Sequence, residues 1–496
     1  TKIHEEIIRS TIGEVIKKYE EDNPKGEFVV IVDGYKGETV KKITVVDAPC
    51  GEGKTTWAIQ EMNMHKDRNY IFCTPFLDEI DRVQKATAYS KDRYRFLQPT
   101  AQNKDGTKIA GFNNLLAYDK CISVTHTTFL NATEETLALI RNGEYSLIID
   151  EALEVITEFN KVQSVENAPK QSVAEGDLRM LLERKIIHIE QNGRVIWCGG
   201  EYGNDYKFSE LERFAKLGRL YCAHGKLLLV IFPPELFEAF EKIYVLTYMF
   251  NGSIMKSYFD LFGIDYELNS VCTINGKYEL IEYDHSIDIA FRGKCKKLIH
   301  ICDNKRMNDY GKNALSKTWY IGSTKDGERL KKLKNNISNY FIRYLKYPKP
   351  KASNGDIMWT CMGEYETKLK GKGYTYKRQL TAEEKELPEE ELKKLKAELN
   401  CFVPCNARAS NNYKDRWALA YCVNMYFNPM LRAFFEDYNI GNENSNSAKP
   451  NDDLFAVSCM IQWIFRSRIR DGLPIEIYIP NKRMRELLIA WVDNKI

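Results

Sequence analysis

The stretch Ala48-Pro49-Cys50-Gly51-Glu52-Gly53-Lys54-Thr55-Thr56 decides the reading of this chain. The apolar run Ile43-Thr44-Val45-Val46 leads into it, and an apolar-periodic segment with the spacing of a helix follows. Glycines at 51 and 53 permit a tight loop. Successive backbone N–H groups and a helix N-terminus can then converge on a phosphate. Lys54 is placed to reach the outer phosphates of a nucleotide, and the Thr55 hydroxyl to ligate magnesium. Pro49, Cys50, Gly51, Glu52, Gly53, Lys54, Thr55 and Thr56 are the candidate nucleotide-binding set. The pattern usually starts on glycine, where this chain has Ala48. The alternative for the same residues is a purely structural glycine turn.

A second apolar strand, Leu147-Ile148-Ile149, ends in two adjacent carboxylates, Asp150 and Glu151. Asp150 is a candidate magnesium ligand through water, and Glu151 a candidate base that orients the attacking water. Acidic strand ends are common, but this one falls about 95 residues after the glycine loop. Thr74-Pro75 and Thr125-His126 also follow apolar strands. Open α/β sheets place their ligands at such ends. The alternative for each pair is an ordinary turn at a sheet edge.

The 496 residues allow two to four domains. Apolar residues make up 44% and charged residues 28%, a globular balance. No run approaches 18 clean apolar residues, so no membrane span is expected. The opening TKIHEEIIRSTIGEV is acidic and lacks an apolar core, unlike a signal peptide. Net charge is only +3, which excludes histone-like charge density and leaves room for one basic groove. Thirteen cysteines without a CxxC pair suggest a reducing, cytoplasmic setting rather than disulfides or zinc.

The pattern predicts an N-terminal extension over 1–42, with a helix over 2–19. An α/β domain follows over 43–250. It has helices near 55–64, 77–90 and 132–140, and strands near 70–73, 121–124, 145–149 and 243–247, the last closing the domain. Residues 157–240 read as an insertion, with a polar helix and a hairpin at IIHIEQNGRVIWC. An intervening region spans 251–354. Its run 323–351 holds nine basic and two acidic residues. Leu330, Leu333, Ile337 and Phe341 share one helical face there. That stripe fits a solvated helix packed on one side. It also leaves Lys331, Lys332 and Lys334 as candidate contacts to a nucleic-acid backbone. A second α/β domain is predicted over 355–496, opening at Ile357 with later strands at 421–423 and 476–479. Residues 381–400 read as an acidic helical insertion within it.

On these motifs the chain resembles the superfamily 2 helicases and translocases with a DEAx box, including compact ones of phages and mobile elements. Ala48 to Thr56 resembles the first motif of that family, and Asp150-Glu151-Ala152-Leu153 the DEAx box. Thr74-Pro75 and Thr125-His126 resemble first-domain motifs that contact nucleic acid. Thr247 stands where the family has a coupling motif. Gln462-Trp463-Ile464-Phe465-Arg466-Ser467-Arg468-Ile469-Arg470 resembles the final motif. Phe465 replaces its glycine, and its last arginine is displaced. Asn406–Arg416 resembles the motif before it.

The resemblance implies an α/β fold of two RecA-like domains with parallel sheets in tandem, plus insertions. It implies an ATP- and Mg2+-dependent helicase or translocase acting on nucleic acid, DNA more than RNA. A replication or recombination protein is the implied partner, with no membrane. Glu151, Gln462, Arg466 and Arg470 are then the catalytic set, with Thr55 and Asp150 on magnesium. Gln462, Arg466 and Arg470 are four apart and would share one face of a helix, with Arg468 turned away. Two other readings stay open: a viral DNA-packaging motor with ATPase and nuclease domains, and an ATP-driven switch or loader for a protein partner.

Overall fold

Strand β1 (Ile43–Asp47) is buried along its whole length. Such a run suits a central strand of a parallel sheet, covered on both faces. The computed structural model describes residues 43–87, 95–103, 105–161, 173–200, 207–308, 310–346, 356–375, 380–406, 413–438 and 448–496. The expected 2–19 helix and most of the Asn406–Arg416 segment lie outside the described residues.

From β1 the chain turns through the glycine loop into helix α1 (Lys54–Met64). Strands β2 (Asn69–Thr74), β3 (Ile122–Thr125) and β4 (Tyr145–Asp150) follow, with helices between them. The short helix α2 (His126–Leu130) starts directly at the end of β3, capped by the Thr125 hydroxyl, which accepts from the Thr128 N–H. An insertion then carries β5 (Ile156–Glu158), β6 (Ile187–Ile189), β7 (Val195–Trp197), β8 (Leu220–Ala223) and β9 (Leu227–Ile231). Its predicted hairpin is the β6–β7 pair. Strand β10 (Lys242–Thr247) returns to the main sheet, and β11 (Tyr266–Ile274) and β12 (Lys277–Glu282) extend it.

The first sheet runs β12-β11-β1-β10-β4-β2-β3 and is parallel apart from β12. Register pairs Asp47 with Thr247, Leu246 with Asp150, and Thr74 with Thr125. The ends that follow Asp47, Thr247, Asp150, Thr74 and Thr125 therefore share one edge of the sheet.

Helix α3 (His285–Leu298) leads to β13 (Ile299–Ile301), and helix α4 (Glu328–Asn339) follows. Strands β14 (Ile357–Thr360) and β15 (Ala418–Tyr421), helix α5 (Asp452–Ile464), β16 (Ile475–Tyr478) and helix α6 (Lys482–Val492) complete the chain. The second sheet is fully parallel, in the order β13-β16-β15-β14. The fold class is thus the expected one, α/β with two largely parallel sheets in tandem plus insertions. Among the described residues, no helix is long and apolar enough to cross a membrane.

Three sequence expectations change. Strand β10 does not close the first domain; it lies inside the sheet, between β1 and β4. The 251–354 region is not a separate block. Strand β11 pairs with β1, and β13 pairs with β16, so its two halves belong to the two sheets. The strand expected at 421–423 is instead Ala418–Tyr421. The apolar stripe of α4 and of the π-helical turn that follows it (Tyr340–Tyr344) packs as expected: Leu330, Leu333, Ile337 and Phe341 are all buried.

The two sheets are joined by shared apolar packing. Phe427, Leu431, Phe434 and Phe435, from the second half of the chain, are buried in the first-domain core. Phe434 meets Tyr221 of the insertion edge-on at 6.1 Å. Tyr248 and Met249, just past β10, are buried in the second-domain core. Gly252 lies close under α5, where a Cβ would come within 2.7 Å of the Leu454 carbonyl oxygen. Gly252→Ala should therefore force the turn away from α5 and lower unfolding stability by about 1–3 kcal/mol. Chemical denaturation measures it, and an unchanged midpoint would show that the contact is soft.

Candidate active site

Gly51 (φ 89°) and Gly53 (φ 90°) both adopt the left-handed conformation that glycine takes without strain. Gly53 is also required by space, since a Cβ there would fall 2.1 Å from the Tyr278 ring on β12. The Trp57 N–H bonds the Gly53 carbonyl at 2.8 Å, so α1 starts at once and its free N–H groups border the loop. Lys54 Nζ donates to the carbonyls of Ala48 (2.5 Å) and Pro49 (2.9 Å), so the ammonium caps the loop. Pro49 is buried, Cys50 partly exposed, and Glu52 and Thr56 are exposed at the rim. Burial raises the Cys50 thiol above its usual pKa.

Asp150 is the meeting point of the strand ends. Its Oδ1 accepts from Thr55 Oγ1 and its Oδ2 from Thr74 Oγ1, both at 3.2 Å. His126 Nε2 lies 3.0 Å from the Asp150 main-chain oxygen. Burial pushes this carboxyl up to about 6; Glu151 adds to the rise, while Thr74, Lys54 and Thr55 oppose it. Glu151 has φ 66°, a left-handed conformation costing about 1–2 kcal/mol for a side chain of this kind. Its N–H bonds the Leu246 carbonyl at 2.9 Å, which ties the acidic turn to β10.

The expected helical stripe over 462–470 is not formed. Helix α5 ends at Ile464, and Arg468–Asp471 is a short 3-10 turn. Ser467 is the physical reason. Its Oγ donates to the Ile464 carbonyl at 2.7 Å, competing for a helical acceptor, and its backbone is extended. Gln462 remains in the last turn of α5. The broken path still brings both other arginines to the loop. Arg470 lies against Gly51, where a Cβ would sit 3.9 Å from its Cγ. Arg466 is only 8% exposed, and its Nε and Nη1 are buried without a hydrogen-bond partner. Burial lowers its pKa to about 10, and the Glu151 carboxylate is the first charge opposing that. Arg468 is elsewhere: Nε donates to the Pro474 carbonyl, and the guanidinium lies 5.5 Å from the Trp417 ring.

Two residues expected to contact nucleic acid do something else. Thr74 is fully buried and His126 is 2% exposed; both hold Asp150 from behind. Neither side chain can reach a strand in this conformation. Pro75 and Thr125 are partly exposed beside them. Lys331 and Lys332 are exposed on α4 and Lys334 is partly so. Lys331 lies 3.7 Å from Glu328, and Lys332 lies over the Tyr310 ring.

Sequence reasoning missed Asp47 and Tyr278. The buried Asp47 accepts the N–H groups of Met249 (2.8 Å) and Phe250 (3.0 Å). Tyr278 shapes the loop from β12. Its signal was present: Asn275-Gly276 between alternating strands is a hairpin sign, and both residues have positive φ.

This site suits a nucleotide with magnesium. Thr55 and Asp150 offer the oxygen ligands that a hard cation takes. The glycine loop forms a cradle, and the buried N–H groups of Arg466 lack acceptors that phosphate oxygens would supply.

Fold and site together define a two-domain α/β protein whose glycine loop faces arginines of its second domain. Residues 293–492 match the YonV C-terminal Rossmann-like domain. Over 468 residues the chain is 34% identical to the SPbeta prophage-derived uncharacterized protein YonV of Bacillus subtilis (strain 168). That alignment covers 92% of this chain and 100% of the relative. The chain belongs to the YonV family. Among solved structures, S. tokodaii Xpd4 aligns with TM-score 0.39 and 14% identity, over 92% of this chain and 94% of that one. The DUF1998 helicase MrfA, solved bound to DNA, aligns with TM-score 0.32 and 10% identity, over 92% and 49%.

The strained acid gives a prediction of its own. Asn tolerates the left-handed region better than Glu. Glu151→Asn should keep or raise unfolding stability, by up to about 1 kcal/mol. Calorimetry checks it, and a clear loss of stability would mean that the Glu151 side chain supports the fold.

Proposed function

We propose that this chain is an ATPase that couples hydrolysis to movement along nucleic acid, as a helicase or translocase, with DNA preferred over RNA. The observation that carries the reading is the buried Arg466 of the second domain, set against Glu151 and the glycine loop of the first. An ATPase built this way needs both domains, because the charge developing on the transferred phosphate requires cations from the far side. Arg466 and Arg470 supply them, and Gln462 stands in the last turn of α5, just before the segment that carries Arg466. Lys54 exchanges the Ala48 and Pro49 carbonyls for phosphate oxygens. Glu151 orients the attacking water and takes its proton. Magnesium, when bound, would be held by Thr55 and Asp150 and would neutralise phosphate charge there.

Movement along a strand is the further part of the proposal. Nucleic acid lying across both domains would feel their relative shifts as alternating grip. Contacts to phosphates, with Lys331, Lys332 and Lys334 as candidates, would give little sequence preference and a steep salt dependence. The prophage origin of the Bacillus subtilis relative supports a phage or mobile-element setting. The host cytoplasm and a replication or recombination partner fit that setting.

Lys54→Ala should abolish ATP turnover with folding retained. Glu151→Gln should still bind ATP and magnesium while turnover falls by about 10²-fold or more. Near-normal turnover in either variant would remove the residue from the site. Arg470→Ala should lose turnover and Arg468→Ala keep most of it, since only Arg470 lies on the loop. Turnover should rise with single-stranded DNA more than with RNA. A rate that is flat across single-stranded DNA, duplex DNA and RNA would instead favour the switch or loader reading.

A further inference from the structure

A buried network connects the strand that feeds the glycine loop to the arginine segment of the second domain. It begins at Asp47, whose carboxylate holds the N–H groups of Met249 and Phe250. Met249 sits at φ 59°, so the turn after β10 is held in a strained shape. Tyr248, in that turn, is 5% exposed and donates its hydroxyl to Asp288 Oδ1 on α3 at 2.6 Å. Asp288 Oδ2 pairs with Arg292 Nη2 at 2.6 Å, and both residues are buried. Arg292 donates on to the main-chain oxygens of Trp491 and Ile496 and lies 5.5 Å from the Trp491 ring. The helix α3 is thereby clamped to the first-domain turn on one side and to α6 on the other.

One turn of α3 also carries the apolar half of the network. The Phe291 ring lies 6.0 Å from Tyr248, 6.3 Å from Trp491 and 5.2 Å from Phe465. Phe465 immediately precedes Arg466 and is the C-terminal capping residue of α5. A displacement of Phe291 is therefore felt at the backbone of Arg466, whose guanidinium has no protein hydrogen bond at Nε or Nη1 to hold it in place. Packed aromatic contacts of this kind transmit position, because close-packed interiors yield little.

We propose that Tyr248, Asp288 and Phe291 are positioning residues. They hold Phe465, and through it Arg466, at the reacting phosphate, so that α3 relays the state of the 247–250 turn to the arginine segment. The inference rests on the ATPase reading above for its consequence in turnover, but not for its structural part. Burial of a tyrosine–carboxylate–guanidinium chain also favours one arrangement over others, since each group is costly to leave unpaired.

The test uses the full chain with Tyr248→Phe, which removes only the hydroxyl, and Phe291→Leu, which keeps apolar bulk but loses the ring contacts. Three quantities are read: affinity for a fluorescent ATP analogue, kcat for ATP, and peptide-resolved hydrogen exchange. Affinity should stay within about threefold of wild type, and kcat should fall by roughly tenfold to 10²-fold, the scale of a small misplacement of a reacting group. Exchange over residues 463–472 should rise, while the 145–150 strand stays protected. Wild-type exchange over 463–472 in both variants would overturn the proposal whatever happens to kcat. A wild-type chain that never hydrolyses ATP would sink the ATPase reading instead, and the exchange data would still decide whether α3 positions the arginine segment.

Discussion

A guanidinium buried without acceptors for two of its N–H-bearing nitrogens is an unstable thing to build into a protein. Arg466 is in that position, 8% exposed and opposed chiefly by one carboxylate, Glu151. An unsatisfied buried charge of this kind costs on the order of 1–3 kcal/mol or more. The rest of the molecule is arranged so that it is nonetheless held there. Helix α5 delivers it, the Ser467 turn stops the helix at the right place, and the first-domain edge supplies Glu151 and the loop. An arrangement that is costly in the protein alone is explained if phosphate oxygens are the missing acceptors.

The first sheet makes its half of that arrangement by register. Parallel pairing brings Asp47, Thr247, Asp150 and Thr74 to one edge, although they are far apart in the chain. Asp150 can then be bonded from both sides, by Thr55 of the loop helix and Thr74 of the neighbouring strand. Its neighbour Glu151 takes a left-handed backbone, and its charge interacts with Arg466 of the second domain. The strained Glu151 belongs to the first domain and the desolvated Arg466 to the second, and the Glu151 charge acts on the Arg466 guanidinium. Each is tolerated because large shared apolar cores hold the two domains together.

The parts that were legible in the sequence are those with local rules. The glycine loop, the paired acids at 150–151 and the α4 stripe each follow from spacing within a few residues. The parts that were not legible depend on distant pairing. Strand β11 joins β1 across more than two hundred residues, so the 251–354 region looked separate although half of it finishes the first sheet. Thr74 and His126 sat at strand ends as expected, but only the fold shows that they face inward onto Asp150. The 462–470 segment misled for a different reason. Helical spacing grouped Gln462, Arg466 and Arg470, while a single serine hydroxyl ends the helix between them. Arg466 and Arg470 both lie near the loop because the chain turns back on itself, not because of a helix.

The proposed ATPase site is completed across two domains. The most direct measurement is steady-state ATP hydrolysis by Arg466→Ala beside wild type, with nucleotide affinity and unfolding stability taken on the same preparations. Relief of the buried charge should leave stability equal or higher. Turnover should fall by about 10³-fold or more, the usual worth of an arginine that neutralises a transferred phosphate, while ATP is still bound. Turnover close to wild type in a folded Arg466→Ala protein would contradict the account.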